Sequence, residues 1–119
     1  MKTIFVVDDD ADAADLMAQG LAGPGRKVRA FSDPLRALAA LTAEGADLLI
    51  ADLAMPWING RDVVASARLR RPRLAIILVS GVADAPSVAS SEGLPFLPKP
   101  VDLDQLRLTV AQNLAALRF

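Results

Sequence analysis

The sequence predicts an α/β fold in which five parallel strands alternate with five helices. Short apolar runs recur along the chain, and most precede a stretch whose apolar residues recur every three or four positions. Because the runs are apolar throughout, the strands are expected to be buried on both faces. Such strands are typical of a parallel sheet that is covered by helices on both sides.

The first strand and helix are the clearest pair. Residues 3–7 read TIFVV, a β-branched and aromatic run that favours a strand. The helix is predicted over about 11–21, with Leu16, Met17 and Leu21 facing the core. A Gly-Pro-Gly sequence follows and ends the helix.

The second pair begins with a less apolar strand at 27–31. Either Ser32 or Asp33 is expected to cap the next helix, with Pro34 in its first turn and Gly45 at its end. The residues predicted to share its apolar face are Leu35, Leu38 and Leu41 or Thr42.

The third and fourth predicted strands span 47–51 and 74–80. The third is expected to be buried like the first, and the fourth is the most apolar strand of the chain. A loop that reads DLAMPWING follows the third strand, and a helix over 61–71 then leads to Pro72.

The last third of the chain contains a weak helix and a strong one. Residues 84–93 form a weak helix at best, and 95–98 form a short strand between prolines. Asp102 is expected to cap the last helix. The apolar stripe of that helix comprises Leu103, Leu106, Val110, Leu114 and Leu117.

The composition limits the kinds of function. The 119 residues suffice for one domain with a real core, so a single domain over 1–119 is expected. A net charge of −1 gives no general attraction to nucleic acid or acidic membranes. Without cysteine or histidine, disulfides, thiolate metal sites and histidine-based catalysis are excluded. No signal peptide or membrane span is evident, so we expect a soluble cytoplasmic protein.

Polar residues follow four of the five predicted strands. They are Asp8, Asp9 and Asp10 after the first strand, Asp52 after the third, Ser80 at the end of the fourth and Lys99 after the fifth. A doubly wound parallel sheet, for example the flavodoxin-like order 2-1-3-4-5, binds ligands at the carboxyl ends of its strands. Each residue alone has a simpler explanation as a cap, a turn or a surface residue. Together they predict a magnesium site, because Mg²⁺ prefers oxygen ligands and a nearby lysine neutralises further charge.

Four segments of the sequence resemble the receiver domains of two-component response regulators. They are VVDDD, DLAMPWING, ILVSG and PKP, and they occur in order at the ends of the predicted strands. The resemblance covers essentially the whole chain. It implies that a histidine kinase phosphorylates an aspartate of this domain and that the reaction requires Mg²⁺.

The resemblance gives each strand-end residue a role by its position. It makes Asp52 the phosphoacceptor, Asp8 and Asp9 the acidic pair, Ser80 the hydroxyl residue, Lys99 the lysine, and Phe96 a switching aromatic residue. Asp9 is expected to bind the ion directly and Asp8 through water, and the backbone carbonyl of Ala54 adds an oxygen ligand. Ser80 and Lys99 are expected to contact the phosphoryl oxygens.

The segment between the fourth and fifth strands departs from the family pattern. It is a few residues shorter than usual and contains Pro86 and Gly93. The fourth helix is therefore predicted to be short or irregular, and residues 82–94 are predicted to be mobile until phosphorylation or partner binding. The Lys99–Pro100 peptide bond is expected to be cis, as the resemblance also implies.

Two other functions fit parts of the sequence. Asp8 and Asp10 match the Asp-x-Asp spacing of haloacid dehalogenase-type phosphatases, although Asp12 stands where Thr or Val is expected there. A pseudo-receiver that serves only as an interaction module is the other possibility. The complete set of acidic, hydroxyl and lysine residues favours a working receiver over both.

The expected partners follow from the same resemblance. They are a histidine kinase or phosphotransfer protein and a downstream protein target, because no output domain is expected in this chain. The alternative is that the chain is the receiver piece of a larger or hybrid protein. The basic run at 68–73 suits a helix C-terminus, so no binding to nucleic acid is expected. The domain is expected to catalyse only its own phosphorylation and dephosphorylation, with no membrane contact.

Trp57 is expected to report on the site through its fluorescence.

Overall fold

A five-stranded parallel sheet organises the chain in the computed structural model, which describes residues 1–55, 58–83 and 85–117. The strand order is β2-β1-β3-β4-β5, as predicted. The elements in chain order are β1 Lys2–Val7, α1 Ala11–Leu21, β2 Arg26–Phe31, α2 Pro34–Ala43, β3 Leu48–Asp52, α3 Gly60–Arg70, β4 Ala75–Ser80, α4 Ala85–Glu92, β5 Phe96–Pro98 and α5 Leu103–Ala115.

Two apolar cores lie on opposite faces of this sheet. Successive side chains of a strand point to opposite faces, so β1 contributes Phe5 and Val7 to one core and Ile4 and Val6 to the other. The first core is covered by α2, α3 and α4, and the second by α1 and α5. The continuous burial of β3 and β4 explains why their sequences are apolar at almost every position.

Side-chain caps define where four of the helices begin. The N-cap residues are Asp10 for α1, Asp33 for α2, Asn59 for α3 and Asp102 for α5. Each accepts a hydrogen bond from a backbone N–H in the first turn, which otherwise lacks a partner there. The caps predicted at Asp33 and Asp102 are confirmed.

Two leucines that were predicted to face the core are exposed instead. Leu16 of α1 is 58% exposed and Leu35 of α2 is 65% exposed. The buried stripe of α1 passes through Ala14, Met17 and Leu21, and Leu16 lies about 100° around the helix from Met17. In α2 the stripe likewise includes alanines, so Leu35 lies at its border. In both helices, alanines face the core while a leucine nearby in the sequence faces solvent.

The fourth helix is short but regular. It spans eight residues, Ala85–Glu92, and buries only Ala85 and Ala89. The prediction of a short helix is confirmed, and the irregular alternative is wrong within this span. The Lys99–Pro100 peptide bond that follows β5 is cis, as predicted. No helix in the described parts of the chain has the length and apolar character needed to cross a membrane.

Candidate functional site

Four strand ends bring the predicted site residues to one edge of the sheet. Asp8 follows β1, Asp52 ends β3, Ser80 ends β4 and Lys99 follows β5. The parallel register places these ends side by side, since Asp52 pairs with Val79 of β4 and Ser80 pairs with Pro98 of β5. The convergence of the strand ends predicted from the sequence is confirmed.

Lys99 joins two of the buried carboxylates. Its Nζ donates hydrogen bonds to Oδ2 of Asp8 and to Oδ2 of Asp52, each at 2.7 Å. Asp8 is 0% exposed and Asp52 is 3% exposed. Buried carboxylates are unfavourable unless they are paired and hydrogen-bonded. The ammonium group of Lys99 therefore compensates two charges that the fold removes from water.

The second oxygens of these carboxylates are held by nearby backbone amides. Asp8 Oδ1 accepts from the N–H of Asp10 at 3.0 Å, and Asp52 Oδ1 accepts from the N–H of Ala54 at 2.9 Å. Each aspartate thus orients the loop that follows its own strand. Both side chains are fixed at both oxygens, so their carboxylates are ordered before any ligand arrives.

Asp52 and Lys99 both have raised pKa values. Burial raises the pKa of Asp52, and the charge of Asp8 adds to this, while Lys99 and the Ala54 amide offset only part of the increase. Burial by itself lowers the pKa of Lys99, but its hydrogen bonds to Asp52 and Asp8 outweigh this and raise the pKa above its usual value. Lys99 is therefore charged at neutral pH.

Three carboxylates are arranged as a cation site would require. One oxygen from each of Asp8, Asp9 and Asp52 lies within 4.8 Å of the others. Asp8 and Asp52 are buried and Asp9 is exposed, so the group opens to solvent on one side. With the Lys99 ammonium, three carboxylates leave a formal charge of −2. An all-oxygen ligand set of this charge suits Mg²⁺, which binds few carboxylates and keeps several waters.

Ser80, Ala54, Phe96 and Trp57 are the other residues that were predicted to belong to the site or to report on it. Ser80 is buried, and its Oγ accepts from the N–H of Val82 at 3.0 Å, while its carbonyl accepts from the N–H of Lys99. Ala54 is exposed and lies two positions after Asp52 in the chain. Phe96 is half-buried beside Leu78 and packs against the core under α4. Trp57 lies outside the described residues.

Asp10 is separated from this cluster by its role in α1. It is exposed, and its carboxylate accepts from the backbone N–H groups of Asp12 and Ala13. A helix cap satisfies its charge without a ligand. This weighs against the Asp-x-Asp pair that a dehalogenase-type phosphatase would need.

Asn59 and Gly60 are structural determinants of the site that the sequence analysis did not single out. Asn59 caps α3, and it forms an isolated antiparallel bridge with Ala54. A Cβ on Gly60 would lie 2.7 Å from the Leu53 Cα, so only glycine fits there. The Asn-Gly dipeptide at the start of a predicted helix was the available signal.

Comparisons with known proteins agree with this geometry. The family model for the response regulator receiver domain matches residues 4–111. The DNA-binding transcriptional regulator NtrC of Salmonella typhimurium is 30% identical over 105 residues, 86% of this chain and 22% of NtrC. The C4-dicarboxylate transport transcriptional regulatory protein DctD of Rhizobium meliloti is 35% identical over 107 residues, 87% of this chain and 23% of DctD. The chain thus spans less than a quarter of either relative.

A solved structure resembles the whole fold. The CheY-like response regulator receiver domain protein of Methanospirillum hungatei superposes with a TM-score of 0.88 at 28% identity. The superposition covers 97% of this chain and 94% of that protein. The likeness therefore extends over all five strands and the helices between them.

Proposed function

Since this chain belongs to the family of response regulator receiver domains, we propose that Asp52 is its phosphoacceptor. The observation that supports this most directly is the position of Asp52 at the carboxyl end of β3. There its carboxylate shares Lys99 with Asp8 and lies within reach of Asp9. Of the two buried carboxylates, Asp52 is also the one that opens the loop matching the family motif.

Phosphoryl transfer to Asp52 needs little covalent chemistry from the protein. A carboxylate oxygen of Asp52 attacks phosphorus, the bond from phosphorus to the donor histidine nitrogen breaks, and the electron pair leaves with the imidazole. Catalysis then depends on positioning and on neutralising the charge of the transferring group. The Lys99 ammonium and the Ser80 hydroxyl supply a cation and a hydrogen-bond donor for the phosphoryl oxygens.

A bound Mg²⁺ would be held by Asp8, Asp9, Asp52 and the backbone carbonyl of Ala54. It would neutralise negative charge on the phosphoryl oxygens, as in other phosphoryl-transfer sites. The carboxylate spacing and the formal charge of the cluster support this assignment. Lys99 pairs with both buried carboxylates and would share the neutralisation of the cluster with the ion.

The signal leaves through Ser80 and Phe96 in this proposal. Phosphorylation adds roughly −1.5 to −2 charges at Asp52, and the Ser80 hydroxyl would then bond to the new oxygens. Because the Ser80 Oγ also accepts from the Val82 amide, a movement of Ser80 toward the phosphoryl group would be passed to the loop before α4. Phe96 packs against the core under α4, so its side chain is placed to respond to that change.

The proposed biological role is that of a signalling domain. A histidine kinase or phosphotransfer protein supplies the phosphoryl group, and a downstream protein reads the changed surface. Residues 1–119 act as a single cytoplasmic domain, which contacts neither nucleic acid nor membrane. Its only reactions are its own phosphorylation and dephosphorylation.

The test is labelling with a small phosphodonor and Mg²⁺, followed by intact-mass measurement. We expect one phosphoryl group per wild-type chain and none on Asp52→Asn. Asp15→Asn is the matched control, because it removes an equal charge from an exposed position of α1. Full labelling of Asp52→Asn would contradict the assignment. An unlabelled wild type would favour the interaction module, and repeated turnover of a phosphomonoester would favour the dehalogenase-type alternative.

A further inference from the structure

A groove opens beside Asp52 between the loop after β3 and the N-terminal half of α4. Its volume is about 490 Å³, within the range of small-molecule sites. The described residues that line it are Leu53, Asn59, Arg61, Val82, Ala85 and Val88. Leu53 follows Asp52 directly and Val82 follows Ser80 by two positions. Two walls of the groove are therefore the loops that also hold the phosphorylation site.

Arg61 brings a cation to this groove without a partner among the described residues. It is exposed, and only its backbone N–H is engaged, in the Asn59 cap. Arginines further along α3 are different, since Arg68 contacts Glu92 and Arg70 contacts Thr42. Within the described parts of the chain, the Arg61 guanidinium has no bound carboxylate, so it is placed to bind an anion from solvent.

We propose that this groove is a subsite for the leaving group of an acyl phosphate donor, with Arg61 as the specificity-determining residue. The proposal rests on the proposed role of Asp52. In the step, an Asp52 oxygen attacks phosphorus and the bond from phosphorus to the acyl oxygen breaks. The electron pair leaves with that oxygen, so the products are the Asp52 acyl phosphate and a free carboxylate.

The lining of the groove matches the two parts of such a leaving group. A guanidinium binds a carboxylate through two parallel hydrogen bonds, and it does so best as the charge develops. Asn59 accepts from Arg61 N–H through its Oδ1, which leaves its amide N–H groups as further donors. Leu53, Val82 and Val88 offer aliphatic surface for the acyl chain. Donors with acyl groups larger than acetyl are expected to gain the most binding from this aliphatic surface.

Donors with different leaving groups test the proposal. Initial rates of Asp52 labelling are measured with acetyl phosphate, benzoyl phosphate and phosphoramidate, whose leaving group becomes neutral ammonia. For Arg61→Gln we expect the rate to fall roughly three- to tenfold with both acyl phosphates, and to stay within about twofold with phosphoramidate. Arg61→Lys should retain part of the rate. Arg36→Gln is the matched control, since Arg36 is an exposed arginine of another groove.

Each result decides between the proposals. An equal fall with all three donors, or no fall with any, overturns the subsite. Labelling by phosphoramidate shows in the same experiment that Asp52 works as an acceptor, so failure of the subsite is distinct from failure of the proposed function. Asp84 directly precedes the lining residue Ala85 in the sequence and lies outside the described residues. The series is therefore repeated in an Asp84→Asn background, which removes this carboxylate from the chain. Discrimination that disappears there overturns the assignment to Arg61 alone.

Discussion

Lys99 is the residue on which the charge balance of the site depends. Its ammonium group lies 2.7 Å from a carboxylate oxygen of Asp8 and 2.7 Å from one of Asp52. Its side chain is 29% exposed, whereas the two carboxylates are almost completely buried. Removal of the lysine would leave two like charges together without a counter-charge, which is worse than losing either aspartate.

Lys99→Met should therefore destabilise the metal-free protein. We expect a loss of about 1–3 kcal/mol in the free energy of unfolding, because two buried acceptors lose a charged donor that is itself partly screened by solvent. Adding Asp8→Asn to this variant should restore part of the loss, since one buried charge is removed. Urea unfolding measures both, and Lys27→Met on β2 is the exposed control. Equal stability of Lys99→Met and wild type would contradict this account of the charge balance.

Gly60 fixes the course of the loop that follows Asp52. An added Cβ would lie 2.6 Å from the Leu53 Cδ2 and 2.7 Å from the Leu53 Cα, and the backbone atom cannot rotate away. Gly60→Ala should cost about 1–3 kcal/mol of unfolding free energy through overpacking, and it should slow phosphorylation of Asp52. Gly23→Ala is the control, because its Cβ would meet no atom within 4 Å. If the two substitutions had the same effect on urea unfolding, the backbone at Leu53 would have to shift at little cost, and this account of Gly60 would be wrong.

At the scale of elements, α4 is the helix with the weakest apolar attachment to the core. It buries two alanines and no larger apolar side chain. A contact from α3 holds its C-terminal end, where Arg68 Nη1 lies 3.4 Å from Glu92 Oε2 and Nη2 donates to the Glu92 carbonyl at 3.4 Å. Its N-terminal end adjoins the Ser80–Val82 contact. A helix with few apolar anchors opens locally at low cost.

Hydrogen exchange over residues 82–98 tests this local opening. We expect fast exchange in the unmodified protein and slower exchange with a phosphoryl mimic and Mg²⁺. A complete shift between two states needs a bias of about 5.5 kcal/mol, so partial protection is expected without a partner. Arg68→Ala should speed exchange in α4, and Arg70→Ala, which loses a contact with α2 instead, should not. Strong protection that the mimic leaves unchanged would place the responsive surface elsewhere.

Element boundaries were predictable from the sequence because caps, glycines and prolines mark them locally. The face that a helix buries was less predictable. Leu16 and Leu35 were assigned inward by size, yet the packing surface is set by how closely the helix approaches the sheet. Small residues such as Ala14 and Ala37 allow that approach, and a count of large apolar residues overlooks them.

For the whole molecule, the convergence of the strand-end residues was predictable from topology. A parallel sheet aligns its strand carboxyl ends, so polar residues at those positions must meet wherever they are in the sequence. That Lys99 would neutralise charge there was also expected, but its two hydrogen bonds, to Asp8 and to Asp52, and the groove beside Arg61 were not predictable. They depend on side-chain directions and on distances between loops, which no local pattern specifies.

The stability of the whole domain should depend on the divalent cation, because the fold gathers three carboxylates that repel one another. Any ligand that binds only the folded state stabilises it by RT ln(1 + [L]/Kd), which is roughly 1.4 kcal/mol when free Mg²⁺ is ten times its Kd. The melting temperature of the wild type should therefore rise by several degrees with Mg²⁺. Asp9→Asn should lose most of this rise, since it removes the exposed member of the cluster.

The same substitution has the opposite expected effect without the cation. Asp9→Asn then removes one of three neighbouring negative charges, so the variant should be at least as stable as the wild type in EDTA. Asp15→Asn changes the net charge equally from an exposed position of α1, and it should follow the wild type under both conditions. Melting curves of the three proteins, with Mg²⁺ and with EDTA, measure whether the order of stability of the wild type and Asp9→Asn differs between the two conditions. An Mg²⁺-dependent rise of equal size in all three would mean that the cation binds away from Asp9, and the assigned ligand set would be wrong.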